Sequence, residues 1–376
     1  MNFRTVTKLV LIFIVSLFLI GISFYAFVKL NQANERANSN LYDWVPDDCV
    51  GVFESDNVEY FLNELSHTTY ASKLDTFLTT DFVNVVLTDL VGFASEDSHS
   101  LNNYMNHFVL SFHSNADPME TVAYFRVGAE AKLYLQNFIK KKFGVDFTPK
   151  IETYRGSRIL VYPLGCNLYM AVYSGKGVIA VSPQMKLIER VIDARKDDTS
   201  LNDDAVFSSM YQKKSANFMS LYGRTPSVGS LSDELDCWSS YDVNFNREMF
   251  YLSGYTAMPD SDYVHVPDEL ARIKPMDEVG ALVVVGQKNV DACISSHIAA
   301  ESPRMFDACV SSLSRDAAAI MVLDMDVCVD NPAKFKNYLP TFISLFPWVF
   351  KSFIISMQLT VIEDTVYHLF TFTYKS

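Results

Sequence analysis

The hydrophobic pattern divides the chain into one long apolar run and many short ones. Residues 9–28, LVLIFIVSLFLIGISFYAFV, carry no charge over 20 positions, enough at ~1.5 Å per residue to cross a ~30 Å hydrocarbon core. Beyond it, the stretch 45–57 (VPDDCVGVFESDN) gives a Pro/Asp turn, a short apolar strand and a helix start. Asp56, with Glu59 three residues on, has the spacing of a capping box. Val58, Phe61, Leu62 and Leu65 then recur at i, i+3, i+4 and i+7, the stripe of an amphipathic helix. The same punctuation returns at residues 274–289, KPMDEVGALVVVGQKN. There Pro275, Asp277, Val279 and Gly280 match Pro46, Asp48, Val50 and Gly51 at one constant offset. Val290, Cys293, Ile294 and His297 repeat the helical stripe.

Downstream, residues 120–127 predict a strand followed by a helix over 131–143. Residues 317–323 predict a strand followed by a helical stretch from Pro332. Each half then offers a hairpin, one turning through Gly175-Lys176-Gly177 and one at Glu363-Asp364. The first half adds a helix opening at Ser182-Pro183 with the stripe Leu187, Ile188, Val191 and Ile192. A short helix over 203–211 and a hairpin over 242–255 complete it. The predicted fold class is α+β: an N-terminal transmembrane helix, then two related lobes of antiparallel or mixed sheet packed with helices. The lobes run over 42–257 and 258–376, and their shared punctuation points to an internal duplication.

Arg4 and Lys8 precede the apolar run, as in a signal sequence. Its end, Phe24-Tyr25-Ala26-Phe27, is too bulky for a small-residue cleavage site. The expectation is an uncleaved single-pass anchor in the cytoplasmic (inner) membrane. Residues 1–8 form the tail inside, 9–28 contact the lipid bilayer, 29–41 form a tether, and the body lies in the periplasm.

Charge narrows the partners. There are 31 basic and 44 acidic residues, for a net charge of -13. That balance disfavours nucleic acid, and no nucleic-acid partner is expected, because phosphate binding demands clustered Lys and Arg. Lys140-Lys141-Lys142 ends a predicted helix, where cations complement the helix dipole. The 28 Phe and 20 Tyr suit sheets and a large core. Six widely spaced cysteines without a C-x-x-C read as buried thiols rather than disulfide pairs.

No stretch specifies a reaction. G-x-S-x-G, H-E-x-x-H, G-x-x-x-x-G-K-[ST] and S-x-x-K are all absent, which leans against an enzyme. His107 and His113 flank FVLSF and share a strand face, but nothing nearby in the sequence nominates a third metal ligand. No metal or cofactor is expected. The uncharged aromatic stretch 337–350 (NYLPTFISLFPWVF) nominates Phe342, Phe346, Trp348 and Phe350 as an interaction surface; the alternative is a core helix of the second lobe.

The segments VPDDCVGVFESDN, YRGSRILVYPLGCNLYMAVYSGKGVIAVSP (154–183), SLNDDAVFSSM and FYLSGYT together resemble an uncharacterised family, a domain of unknown function. Its members are membrane-anchored envelope proteins of Bacteroidetes-type bacteria. The resemblance covers most of residues 42–376. It implies a cell-envelope location and brings no activity or functional residue. The expected function is non-enzymatic binding or assembly in the envelope, with a protein, lipid or polymer partner. The alternative is an extracytoplasmic hydrolase whose site is assembled from scattered residues. A cleft of convergent polar groups, an apolar groove or a flat aromatic patch would separate these readings.

Overall fold

The computed structural model describes residues 39–71, 107–114, 117, 119–127, 131–144, 146–165, 168–212, 218–224, 238–257, 273–298, 304–330, 332–335, 338, 350–362 and 365–375. In chain order its strands are β1 (Gly51–Ser55), β2 (Phe108–Phe112), β3 (Thr121–Arg126), β4 (Lys150–Tyr154), β5 (Ser157–Gly165) and β6 (Leu168–Gly175). Then come β7 (Val178–Ser182), β8 (Met219–Gly223), β9 (Trp238–Phe245), β10 (Met249–Ala257) and β11 (Met276–Glu278). The last are β12 (Ala281–Val285), β13 (Ala319–Asp324), β14 (Phe353–Ile362) and β15 (Thr365–Tyr374). All join one sheet in the order β11-β12-β13-β14-β15-β10-β9-β8-β1-β2-β3-β7-β6-β5-β4. Every ladder among them is antiparallel, so the sheet is not mixed. The helices are α1 (Val58–Ser66), α2 (Ala131–Phe143), α3 (Met185–Asp197), α4 (Ala205–Tyr211), α5 (Gln287–Ile298), α6 (Met305–Ser311), α7 (Met325–Asp330) and α8 (Pro332–Phe335).

Residues opposite one another in antiparallel strands share a face. One cross-strand row therefore tracks a single face of the sheet. It reads Ala180, Tyr124, Val109, Glu54, Ser220, Asp242, Ser253, Leu369, Gln358, Ile320, Val284. The row is apolar at both ends and polar in the middle. At one end Val109, Tyr124 and Ala180 pack with Trp44, the α3 residues Ile188 and Val191, and the α4 residues Phe207 and Met210. At the other, Ile320 packs with Val290 and Ile294 of α5 and Cys309 and Val310 of α6. The opposite face is mostly apolar, with His368 and the hydrogen-bonded pair Ser239 and Thr256 buried within it. Tyr241, Leu252, Phe370, Met357, Met321 and Val283 form one core there with Leu65, Tyr70, Phe335, Tyr338 and Phe350. Burying each such large side chain contributes roughly 1.5–3 kcal/mol.

Two hairpins follow from their turn residues. Arg155-Gly156 and Lys176-Gly177 each put both residues at positive φ (46°, 78° and 42°, 81°). That is the two-residue turn whose twist matches paired strands.

Three expectations are corrected. The transmembrane helix over residues 9–28 lies outside the described residues. Among the described residues no helix is long and apolar enough to cross a membrane. The longest, α2 and α3, have 13 residues each, about 20 Å at ~1.5 Å per residue and short of the ~30 Å needed. The single-pass inner-membrane anchor, its signal-anchor reading and the periplasmic placement of the body thus find no support and are withdrawn.

The two halves also do not form separate sheets. β10 runs against β15 along eight residue pairs, from Met249↔Thr373 to Thr256↔Val366. Nor is the strand order repeated. β2 stands between β1 and β3, whereas β12 and β13 are neighbours. β3 meets β7, the second strand of its hairpin, whereas β13 meets β14, the first.

The end of the expected tether is docked. Asn40 Nδ2 donates to Asn202 Oδ1 at 3.2 Å, and Leu41 is fully buried. The body therefore begins before residue 42.

Candidate functional site

The polar middle of the row begins at Glu54. The β1–β2 ladder sets Glu54 opposite Val109 and Ser55 opposite Phe108. One step further along the same register, Asp56 meets His107 across 51 residues of sequence. Asp56 is free to do so because Asn57, rather than Asp56, caps α1: its side chain accepts from Tyr60 N at 2.9 Å. His107 Nδ1 contacts Asp56 Oδ1, and His107 Nε2 lies 3.6 Å from Glu54 Oε1. Glu54 is 0% exposed. The Tyr42 hydroxyl donates to its Oε2 at 3.0 Å and the Tyr211 hydroxyl to its Oε1 at 3.4 Å. Burial and then the Glu54 charge push the Tyr42 phenol well above its usual range, so it stays a donor. Each member of the trio offers one ligand atom, and these atoms lie within 4.8 Å of one another. The sequence paired His107 with His113 along one strand; the partners that His107 actually meets come from the neighbouring strand.

His113 belongs to a second cluster. Its Nε2 lies 2.8 Å from Ser111 Oγ, and its Nδ1 lies 3.9 Å from Asp48 Oδ1, with Arg190 paired to Asp48. The atom order is that of a Ser-His-Asp triad. Two facts speak against catalysis. Ser111 is 0% exposed and also shares its hydroxyl with Tyr124 at 3.2 Å, so no substrate reaches it. The 3.9 Å gap is too long for the hydrogen bond that orients a catalytic imidazole. Burial, aided by Arg190 and opposed by Asp48, pulls the His113 pKa down to about 4. The cluster is a buried polar network around an uncharged His113 ring, edged by the Asp48–Arg190 ion pair.

A third arrangement sits on α5 and α6. Cys293 Sγ lies 3.9 Å from His297 Nδ1, and His297 Nε2 lies 3.8 Å from Asp307 Oδ1. Burial, with a smaller push from Asp277, raises the Cys293 thiol pKa. His297 Nδ1 also lies 2.9 Å from the Cys293 carbonyl oxygen, which accepts a hydrogen bond from Nδ1–H and so leaves that nitrogen no lone pair for the thiol proton. The thiol is thus the weakly nucleophilic form.

Further along the row the sheet holds a shallow cavity of about 320 Å³, lined by Asp242, Ser253, Tyr255, Gln358, Thr360 and Tyr367. Side-chain alternation on β9, β10, β14 and β15 aims these six at the same face as Glu54. The Tyr255 and Tyr367 rings lie 6.3 Å apart, and Tyr367 is 43% exposed. Ser314 N donates to Gln358 Oε1 at 2.9 Å, which turns the amide NH₂ to the other side. The lining offers a carboxylate, two aliphatic hydroxyls, an amide and two phenols. No sequence motif marked it, because its members come from four strands.

Of the aromatic surface nominated from sequence, Phe350 is 7% exposed and packs on Phe250, Phe353 and Phe372. It is part of the core, not a docking face. Phe342, Phe346 and Trp348 lie outside the described residues. Cys49, Cys293, Cys309 and Cys328 are free thiols; Cys166 and Cys237 lie outside the described residues. No protein-family model matches the chain, nor does any curated protein or any solved structure.

Proposed function

We propose that this chain is a non-enzymatic binding protein that presents the middle of its sheet to a neutral, hydroxyl-rich polymer such as a polysaccharide. One observation carries the reading: the cross-strand row turns polar between the two helix-packed ends, where the cavity lies. The described helices on that face, α4 and α6 among them, pack toward the two ends of the row, with α4 reaching Glu54 through Tyr211. Polar side chains on a sheet face are stable where they stay wet or meet a polar ligand. Tyr367 supplies an exposed flat apolar ring with a polar tip, beside the partly buried Tyr255 ring, which suits the C–H face and the hydroxyls of a sugar. Asp242, Ser253, Gln358 and Thr360 supply the hydrogen bonds that fix orientation. The net charge of -13 disfavours an acidic polymer. For the hydrolase alternative, the two triad-like arrangements among the described residues offer the sealed Ser111 and the Cys293 thiol, whose pKa burial raises.

Affinity electrophoresis tests the reading, with the full chain run through gels containing neutral or acidic polysaccharides. Retardation is expected with a neutral polymer and is lost in the Tyr255→Ala/Tyr367→Ala variant. Reducing ends do not accumulate on long incubation. No retardation by any neutral polymer, or steady release of sugar, would refute the proposal.

A further inference from the structure

We infer that Glu54 and His107 bind a divalent transition-metal ion, with Zn²⁺ the best fit, and that Asp56 orients the imidazole. The inference is independent of polymer binding. Asp56 Oδ1 contacts His107 Nδ1, so in the neutral ring the proton sits on Nδ1 and the lone pair on Nε2. That lone pair points toward Glu54 Oε1 at 3.6 Å, acceptor against acceptor. A cation between them removes the mismatch. The spacing suits it: zinc bonds nitrogen and oxygen at about 2.0–2.2 Å, so two tetrahedral ligands stand about 3.3–3.6 Å apart. A carboxylate on the far nitrogen is the usual support of a metal-bound histidine. The Tyr42 hydroxyl holds the Glu54 carboxylate through Oε2 and the Tyr211 hydroxyl through Oε1. The Asp56 side chain is 41% exposed and that of His107 15%, and water would complete the coordination of a bound ion. One imidazole with carboxylate oxygen favours zinc-like ions over Mg²⁺ or Ca²⁺, which want six or more oxygens. The rival state is an imidazolium ion-paired to both carboxylates, with no metal.

The test uses the tag-free full chain, stripped with EDTA and dialysed. It is titrated with Zn²⁺ by calorimetry and with Co²⁺ by visible absorption, with the melting temperature of each variant as a folding check. One ion per chain is expected. His107→Ala, at a side chain 15% exposed, abolishes binding while the chain stays folded. Asp56→Asn weakens it about 10–100-fold. Cys293→Ser leaves it unchanged, and the Co²⁺ spectrum lacks a sulfur-to-cobalt band. Failure to retain either ion, binding that survives His107→Ala, or binding lost in Cys293→Ser would overturn the assignment.

Discussion

A Cβ built on Gly254 would stand 1.7 Å from the carbonyl oxygen of Ser240 across the β9–β10 ladder. Gly254 lies opposite Tyr241 on one side and His368 on the other, in the interior of the sheet. Backbone atoms cannot yield as a flexible side chain can. Gly254→Ala is therefore expected to lower stability by about 3 kcal/mol, read from the urea midpoint. Unchanged stability would mean that these strands separate more easily than the ladder implies.

Phe350 decides between core and surface for its segment. Its ring lies 5.5 Å from Phe372 and 6.2 Å from Phe353, centroid to centroid. Phe350→Ala is expected to cost about 3–5 kcal/mol, the range for a buried phenylalanine. A loss below about 0.5 kcal/mol would return Phe350 to the surface.

Stability should fall with acid through two histidines. Burial holds the His368 pKa at about 3 and the His113 pKa at about 4. In the unfolded chain both rings take up a proton near pH 6.5. Below that pH the unfolded state binds protons that the folded state refuses. Their stabilising effect is complete above pH ~6.5. It is lost at up to about 1.4 kcal/mol per pH unit for each histidine, until the folded pKa is reached. The melting temperature should drop between pH 7 and pH 5, and His113→Gln should flatten that slope. A slope identical in the variant would remove His113 from the account.

The turn joining β6 and β7 carries a removable strain. Lys176 sits at φ 42°, where Asn is better tolerated than a long side chain. Lys176→Asn should raise stability by about 0.5 kcal/mol. Thermal unfolding of the pair measures it, and a loss would contradict the turn assignment.

Thiol chemistry should be slow. Burial raises the pKa of Cys49, Cys309 and Cys328, the last to about 12, and Cys293 is raised as well. At pH 8 the native chain should alkylate far more slowly at these four positions than the urea-unfolded chain, as read by peptide mass mapping. Equal rates at Cys49 would show that the β1 end of the sheet opens readily.

Local periodicity made several elements legible. The stripe Leu187, Ile188, Val191 and Ile192 is buried on α3 as its spacing required. The helix expected over 203–211 is Ala205–Tyr211, capped by Asp204. The Lys176-Gly177 hairpin follows from residues adjacent in the chain. The cap of α1 lies one position beyond the expected Asp56, because Asp and Asn both cap well and only the fold chose Asn57. The order of strands was not legible. The repeated Pro-x-Asp punctuation specifies how a strand begins, and says nothing of which strand it pairs with.

The residues by themselves marked the stretches with a clear strand or helix period, which of their faces are apolar, and the tight turns between neighbouring strands. These depend on neighbours within a few positions, where backbone preference and side-chain period act. Only the tertiary structure decided that one antiparallel sheet joins both halves and that Glu54, Asp56 and His107 converge. It also decided that Asp242, Ser253, Gln358 and Tyr367 share a face. Those juxtapositions depend on the pairing register of strands far apart in the chain. Register is fixed by the packing of whole faces against helices, a property that no single segment carries.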